Sequence, residues 1–159
     1  KQAPKRTIRV IAFANEEQGL LGGYAYAEAM KAAVANHQIG AESDFGAGKI
    51  YALQAGVSAT TWPVIERIGQ VLAPLGIALD KTGGSPGPDI GPMVKNGVPW
   101  AELAQDGTDY FDYHHTANDT LDKINAKDLD QQVAAYAVMA YLAAETDVDF
   151  GPKPPEAKP

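Results

Sequence analysis

Two adjacent carboxylates at the exit of an apolar run constrain this chain more than any other feature. Ile8-Arg9-Val10-Ile11-Ala12-Phe13-Ala14 has the apolar, β-branched character of a buried strand, and Glu16-Glu17 follows almost at once. Gln18-Gly19-Leu20-Leu21-Gly22-Gly23 then leads into an amphipathic helical pattern. Side-by-side charges at the end of a buried strand are costly unless something offsets them. A metal ion does so: one carboxylate ligates it and the other takes a proton from a metal-bound water.

The totals narrow the search for partners to that pair. With 159 residues the chain is long enough for one domain with its own core, and 45% hydrophobic against 21% charged residues reads as globular. The net charge of −7 argues against nucleic acid, whose phosphates require a basic face. No apolar run is long enough to span a bilayer. Cysteine is absent, which removes disulfides and thiolate ligands and leaves His, Asp and Glu for any zinc site. A cysteine-free chain also suits a periplasmic or extracellular location.

The pattern along the chain alternates strands with helices. Residues 7–14 predict a strand and 22–36 a helix with Tyr24, Ala27, Met30 and Val34 on one face. Short strands are expected at 38–42, 49–55, 77–80 and 98–104. A helix capped by Thr60 or Thr61, with Pro63 in its first turn, presents Val64, Ile65, Ile68, Val71, Leu72 and Leu75. The Gly/Pro-rich stretch 82–92 is a loop, with a short helix after it, and 105–120 is a long functional loop. A last helix spans about 126–145, with Leu129, Val133, Tyr136, Ala137, Ala140 and Ala144 on one face. The domain therefore occupies 1–149, and 150–159 is a Pro-rich disordered tail. Such alternation favours an α/β fold with a mostly parallel sheet, whose sites gather beyond the carboxyl ends of the strands.

Four clusters carry the chemistry: Glu16-Glu17; Asp44 in Glu42-Ser43-Asp44-Phe45-Gly46; Asp89 in Gly87-Pro88-Asp89-Ile90-Gly91-Pro92; and Tyr113-His114-His115-Thr116-Ala117-Asn118-Asp119-Thr120. Hard oxygen ligands with imidazole suit zinc, and also cobalt or manganese. Each cluster alone has a plainer explanation. Asp44 could form an Asx-turn before Gly46, Asp89 could order a Pro/Gly loop, and the histidines could be surface residues. Glu42 could support the site or simply be exposed.

In this order and spacing, the clusters resemble the zinc-dependent exopeptidase family of bacterial leucyl aminopeptidases and plasma glutamate carboxypeptidase. The resemblance covers roughly residues 7–145. The run Tyr-Phe-Asp-Tyr-His-His-Thr-Ala-Asn-Asp-Thr-Leu-Asp-Lys-Ile is most similar to the plasma glutamate carboxypeptidase branch. It implies a three-layer α/β sandwich around a mostly parallel mixed sheet, a peptide substrate, and two zinc ions per complete site. Glu16 would be the general base, Glu17 a ligand of one zinc and Asp44 of the other. His115 would complete the first zinc site, with His114 as its rival. Asp119 would orient the loop or an imidazole, Asp89 would ligate or order its loop, and Tyr110 or Tyr113 would hold substrate or the oxyanion.

That family also supplies a His-x-Asp segment upstream of the Glu-Glu strand, and no His or Asp precedes Glu16 here. The chain is therefore expected to be the carboxy-terminal part of a catalytic domain truncated at its amino end. Isolated, it should bind zinc weakly, have little activity and self-associate through exposed sheet surface. The expected reaction releases an amino-terminal residue, with carboxypeptidase or dipeptidase specificity as the alternative. A non-catalytic binding module of the same fold is the main rival. A flavodoxin-like domain is a weaker one, because Glu16-Glu17 stands where a phosphate-cradling loop would need positive potential.

Overall fold

The computed structural model describes residues 3–151; the expected tail at 150–159 falls almost wholly outside them. The elements are α1 (Leu21–Ala29), β1 (Gly40–Ala41), β2 (Ile50–Gly56), α2 (Trp62–Leu72), β3 (Ala78–Leu79), α3 (Gly91–Lys95), β4 (Trp100–Gln105), α4 (Tyr110–Tyr113) and α5 (Ala126–Glu145). Short 3₁₀ turns occupy Lys31–Asn36, Ala73–Leu75 and Leu121–Lys123.

The strands form one mixed sheet in the order β1-β4-β2-β3. β1 pairs parallel with β4 and β3 parallel with β2, while β2 and β4 run antiparallel. Register places Leu53 opposite Leu103 and Ala55 opposite Ala101, and these side chains form the face that packs on α2 and α5. Ile65, Ile68 and Leu72 recur at helical spacing on α2 and are fully buried there. α5 adds Ala135, Met139 and Ala143 to the same core. Gln54 and Glu102 point to the opposite face, where a loop covers them: Ser85 N–H donates to Glu102 Oε2 at 2.6 Å. A smaller cluster of Ala27, Met93 and Val98 joins α1 to α3.

Three expectations need correction. Residues 7–14 form no strand among the described residues: they pair with nothing, and Val10 is 94% exposed. A strand needs a neighbour to satisfy its backbone, and this run finds none among the described residues. The first helix ends at Ala29 rather than continuing to 36, and a 3₁₀ turn follows. Side-chain bonds hold that turn: Arg9 donates to the Tyr26 hydroxyl, Tyr26 donates to His37 Nε2, and His37 Nδ1–H donates to Ala33 O. Finally, the buried face of α5 is turned away from Leu129, Val133 and Ala137, which are exposed, toward Gln132, Ala135, Met139 and Ala143.

Candidate metal-peptidase site

Asn15 takes a left-handed backbone, φ 59°, and turns the chain sharply out of the 7–14 run. The turn closes with Gly19 and Leu20 N–H groups donating to Glu16 O at 2.9 and 2.8 Å. Two glycines let this turn dock. A Cβ on Gly22 would lie 2.6 Å from Ala14 O, and one on Gly23 would lie 2.5 Å from Asp89 O. α1 can therefore approach both Ala14 and Asp89, which brings Glu16-Glu17 beside the 82–92 loop.

Glu17 meets the histidine loop directly. His115 Nε2–H donates to Glu17 Oε1 at 2.7 Å across 98 residues of sequence. His115 also has a left-handed backbone, φ 58°, so the chain reverses at that residue and sends its imidazole toward Glu17. His114 lies against it, ring on ring, at 3.7 Å between centroids. The stack continues to Tyr110 at 4.6 Å and from Tyr110 to Phe45 at 4.2 Å, the residue after Asp44. A ladder of rings thus connects the Asp44 loop to the His115 loop. Gln105 Nε2 adds a second tie, donating to Gly46 O at 2.8 Å.

The site is electrostatically loaded. Burial, followed by the charges of Glu17, Asp44 and Asp89, holds the Glu16 carboxyl above the usual range, and His115 opposes the shift. Asp89 is almost fully buried and is also raised, by burial first and Asp44 second. Glu42 is raised mainly by burial, although it accepts the backbone N–H groups of Ile90 and Asp89. Glu42 Oε1 and Asp89 Oδ1 have no hydrogen-bond partner among the described residues. Burial and the surrounding carboxylates push the Tyr110 phenol up, so it remains a proton donor at neutral pH.

Of the expected site residues, Glu16, Glu17, Asp44, Asp89, His115 and Tyr110 share one field. His114 stacks on His115 rather than meeting Glu17 itself. Tyr113 turns toward Lys123, whose Nζ lies 5.9 Å from its ring centroid. Asp119 is exposed and reaches the site only through its charge on Tyr110. Glu42 admits two readings from the sequence alone, and Phe45 and Gln105 carry no signal of a site there. The aromatic density of Tyr110-Phe111-Asp112-Tyr113 was the one sequence signal of a stack. A cleft of about 440 Å³ opens beside Asp44, lined by Glu42, Phe45, Tyr51 and Gln54 among others.

The donors suit zinc in type but not in number. Two ligand atoms on one tetrahedral zinc, each about 2.0–2.2 Å from it, lie about 3.3 Å apart. Glu17 and His115 stand closer than this, with a proton between them, so an ion would replace that proton and part the pair. Among the described residues no group of three or more His, Cys, Asp or Glu side chains is placed to hold a metal. The pair is a partial ligand set.

The sequence pattern of peptidase family M28 matches residues 1–140. The chain belongs to that family. It is 33% identical to human Carboxypeptidase Q over 144 residues, which are 91% of this chain and 30% of that protein. Carboxypeptidase Q of Xenopus laevis is 29% identical over the same length. The solved structure of a peptidase M28 precursor from Shewanella amazonensis is 51% identical, with a TM-score of 0.92, covering 98% of this chain and 35% of that one. The α/β fold is thus that of an M28 peptidase, and the chain spans about a third of the length of the relatives it matches. No helix among the described residues is long and apolar enough to cross a membrane.

Proposed function

We propose that this M28 domain forms the Glu-Glu half of a zinc exopeptidase catalytic site, with the remaining metal donors lying outside the described residues. The observation that carries the reading is the Glu17–His115 pair, 98 residues apart in sequence and hydrogen-bonded beside Glu16. Glu17 and His115 would share one zinc and Asp44 would bind the second. Bound zinc would supply acidified water and charge for the oxyanion. Glu16 would accept the proton, and its raised pKa makes it a stronger base than a free glutamate. Tyr110, still protonated, would donate to the substrate carbonyl or the developing oxyanion. Such an enzyme would work outside the cytoplasm, a reading supported by the absence of cysteine and by the description of the Shewanella relative as a precursor.

The reaction proposed first is release of an amino-terminal residue. Release of a carboxy-terminal residue is the second reading, favoured by 33% identity to Carboxypeptidase Q. Peptides blocked at one end or the other separate the two. Zinc is counted first on the isolated chain by elemental mass spectrometry after dialysis, with well under two ions per chain expected. In a complete enzyme carrying this domain, Glu16→Gln should lower kcat about 10²–10⁴-fold with KM nearly unchanged. Full turnover by Glu16→Gln would remove the base from the reading.

A further inference from the structure

The site is a closed ring of contacts with one exposed side and one buried side. The exposed side is the ladder from Phe45 through Tyr110 and His114 to His115 and Glu17. Phe45 is 41% exposed, and the side chains of Glu17 and His115 are each more than half exposed. Contacts of that kind hold position weakly, because water competes for them.

The buried side runs through Glu42. This residue directly follows β1, and its backbone oxygen accepts the Tyr136 hydroxyl at 2.7 Å, which ties it to α5 and the core. Its carboxylate meets the 82–92 loop. Glu42 Oε2 accepts the Ile90 N–H at 3.0 Å, and the carboxylate also accepts the Asp89 N–H. Neither N–H donates to a backbone oxygen among the described residues, so without Glu42 both lose their acceptor. Gly87 lies so close that a Cβ there would stand 2.5 Å from Glu42 Oε2. Asp89 in turn seats α1, because Gly23 packs on its carbonyl, and α1 begins directly after the Glu16-Glu17 turn. Glu42 also stands two residues from Asp44. One side chain therefore joins the Asp44 segment, the cleft wall of Gly84, Ser85 and Pro86, and, through α1, the carboxylate pair. Glu42 Oε1 has no partner among the described residues, and a half-satisfied buried carboxylate is a costly way to hold a loop for stability alone.

We infer that Glu42 is a positioning residue: its carboxylate fixes the 82–92 loop against the Asp44 segment and so sets the separation of Asp44 from Glu16-Glu17. In the zinc-exopeptidase reading, on which this rests, that separation is the distance between the donors of one metal and the donor and base of the other. One acceptor oxygen suffices for the clamp, so glutamine can stand in for glutamate and alanine cannot. Aspartate draws the oxygen back by one methylene.

Amide exchange and resonance positions in the isolated chain test this without any metal. Glu42→Ala should speed exchange of the Asp89 and Ile90 amides about tenfold or more. It should also move the amide resonances of Glu16 and Glu17, to which Glu42 makes no hydrogen bond. Glu42→Asp keeps the charge and serves where the alanine variant does not fold; it should move the same resonances. Glu42→Gln should leave them in place, and so should Gln131→Leu, which loosens the fold away from the clamp. Kinetics follow in the Shewanella amazonensis M28 protein carrying this chain in place of its matched stretch. There Glu42→Asp should lower kcat about 10²-fold with a smaller rise in KM, and Glu42→Gln should restore kcat to within a few-fold. Glu16 and Glu17 resonances that stay put in the alanine and aspartate variants overturn the inference, as does an equal movement in Gln131→Leu. Resonances that move while kcat holds overturn the positioning role. A glutamine variant as impaired as aspartate overturns it too, by making charge rather than reach the working property. An unsubstituted chimera without peptidase activity would instead sink the proposed function, and the clamp would stand on the resonances.

Discussion

His115 has a backbone that L-residues rarely adopt, and what it gains in return is the contact with Glu17. A non-glycine residue at φ 58° costs on the order of 1 kcal/mol. The exposed Glu17 pair, worth at most about 1 kcal/mol, barely offsets that cost. His115→Gly should therefore leave the stability of the chain unchanged or raise it by up to about 1 kcal/mol in urea unfolding. In a complete enzyme the same change should sharply lower zinc retention. Asp89 gives a second residue-scale test. Its raised pKa means that the ionised form disfavours folding at neutral pH. Asp89→Asn should then raise the unfolding midpoint at pH 7. The gain should vanish below the ordinary carboxylate range, where Asp89 is protonated anyway. Glu16, Glu17, Asp44 and His115 stand out in the sequence because each belongs to a short motif, and the structure brings them into one field. Glu42 and Phe45 do not, because what matters about them is the donor that is missing and the ring that stacks, both set by distant segments.

Elements were legible wherever the apolar pattern had contrast. α2 alternates large apolar side chains with Glu66, Arg67 and Gln70, and its buried face fell at the expected spacing except for Val71, which is exposed. α5 is rich in alanine, and alanine marks both faces alike. Its orientation is set instead by glutamines that no periodicity of apolar residues reveals. Gln132 Nε2 donates to Gly48 O at 2.7 Å. Gln131 accepts from Ile50 N–H and donates to both Ile50 O and Leu75 O. Gln131→Leu strands those three backbone groups near the core, and should cost about 2–3 kcal/mol in urea unfolding. The α1–α3 contact is governed by space rather than by polarity. Gly23→Ala drives a methyl into Asp89 O and should cost about 1–3 kcal/mol, with chemical-shift changes reaching the Glu16 turn. Residues 7–14 show the opposite failure: they carry the apolar pattern of a strand, yet among the described residues they pair with none and form no strand.

At the scale of the whole molecule, two sets of carboxylates pull the pH dependence in opposite directions. Asp80 is held below its usual range by the Thr82 N–H and hydroxyl and by Gln54, and Asp106 by the hydroxyl and N–H of Thr108. Asp122 is lowered to about 2 by Lys123 and Thr120. A carboxylate lowered by folding stabilises the native state above its unfolded pKa, and the benefit is lost as pH falls through the folded value. Glu16, Glu42 and Asp89 are raised, so their contribution is favourable below the unfolded carboxylate range and is lost as pH rises through their folded values. Together the two sets make stability fall as pH drops below the carboxylate range and fall again as pH rises through the raised values. Thermal unfolding across pH 2–8 should show that dome. Glu42→Gln should flatten its neutral limb and Asp80→Asn its acid limb, and a curve rising steadily to pH 8 would contradict the assignment. The neutral limb measures the unmet demand for donors at the site.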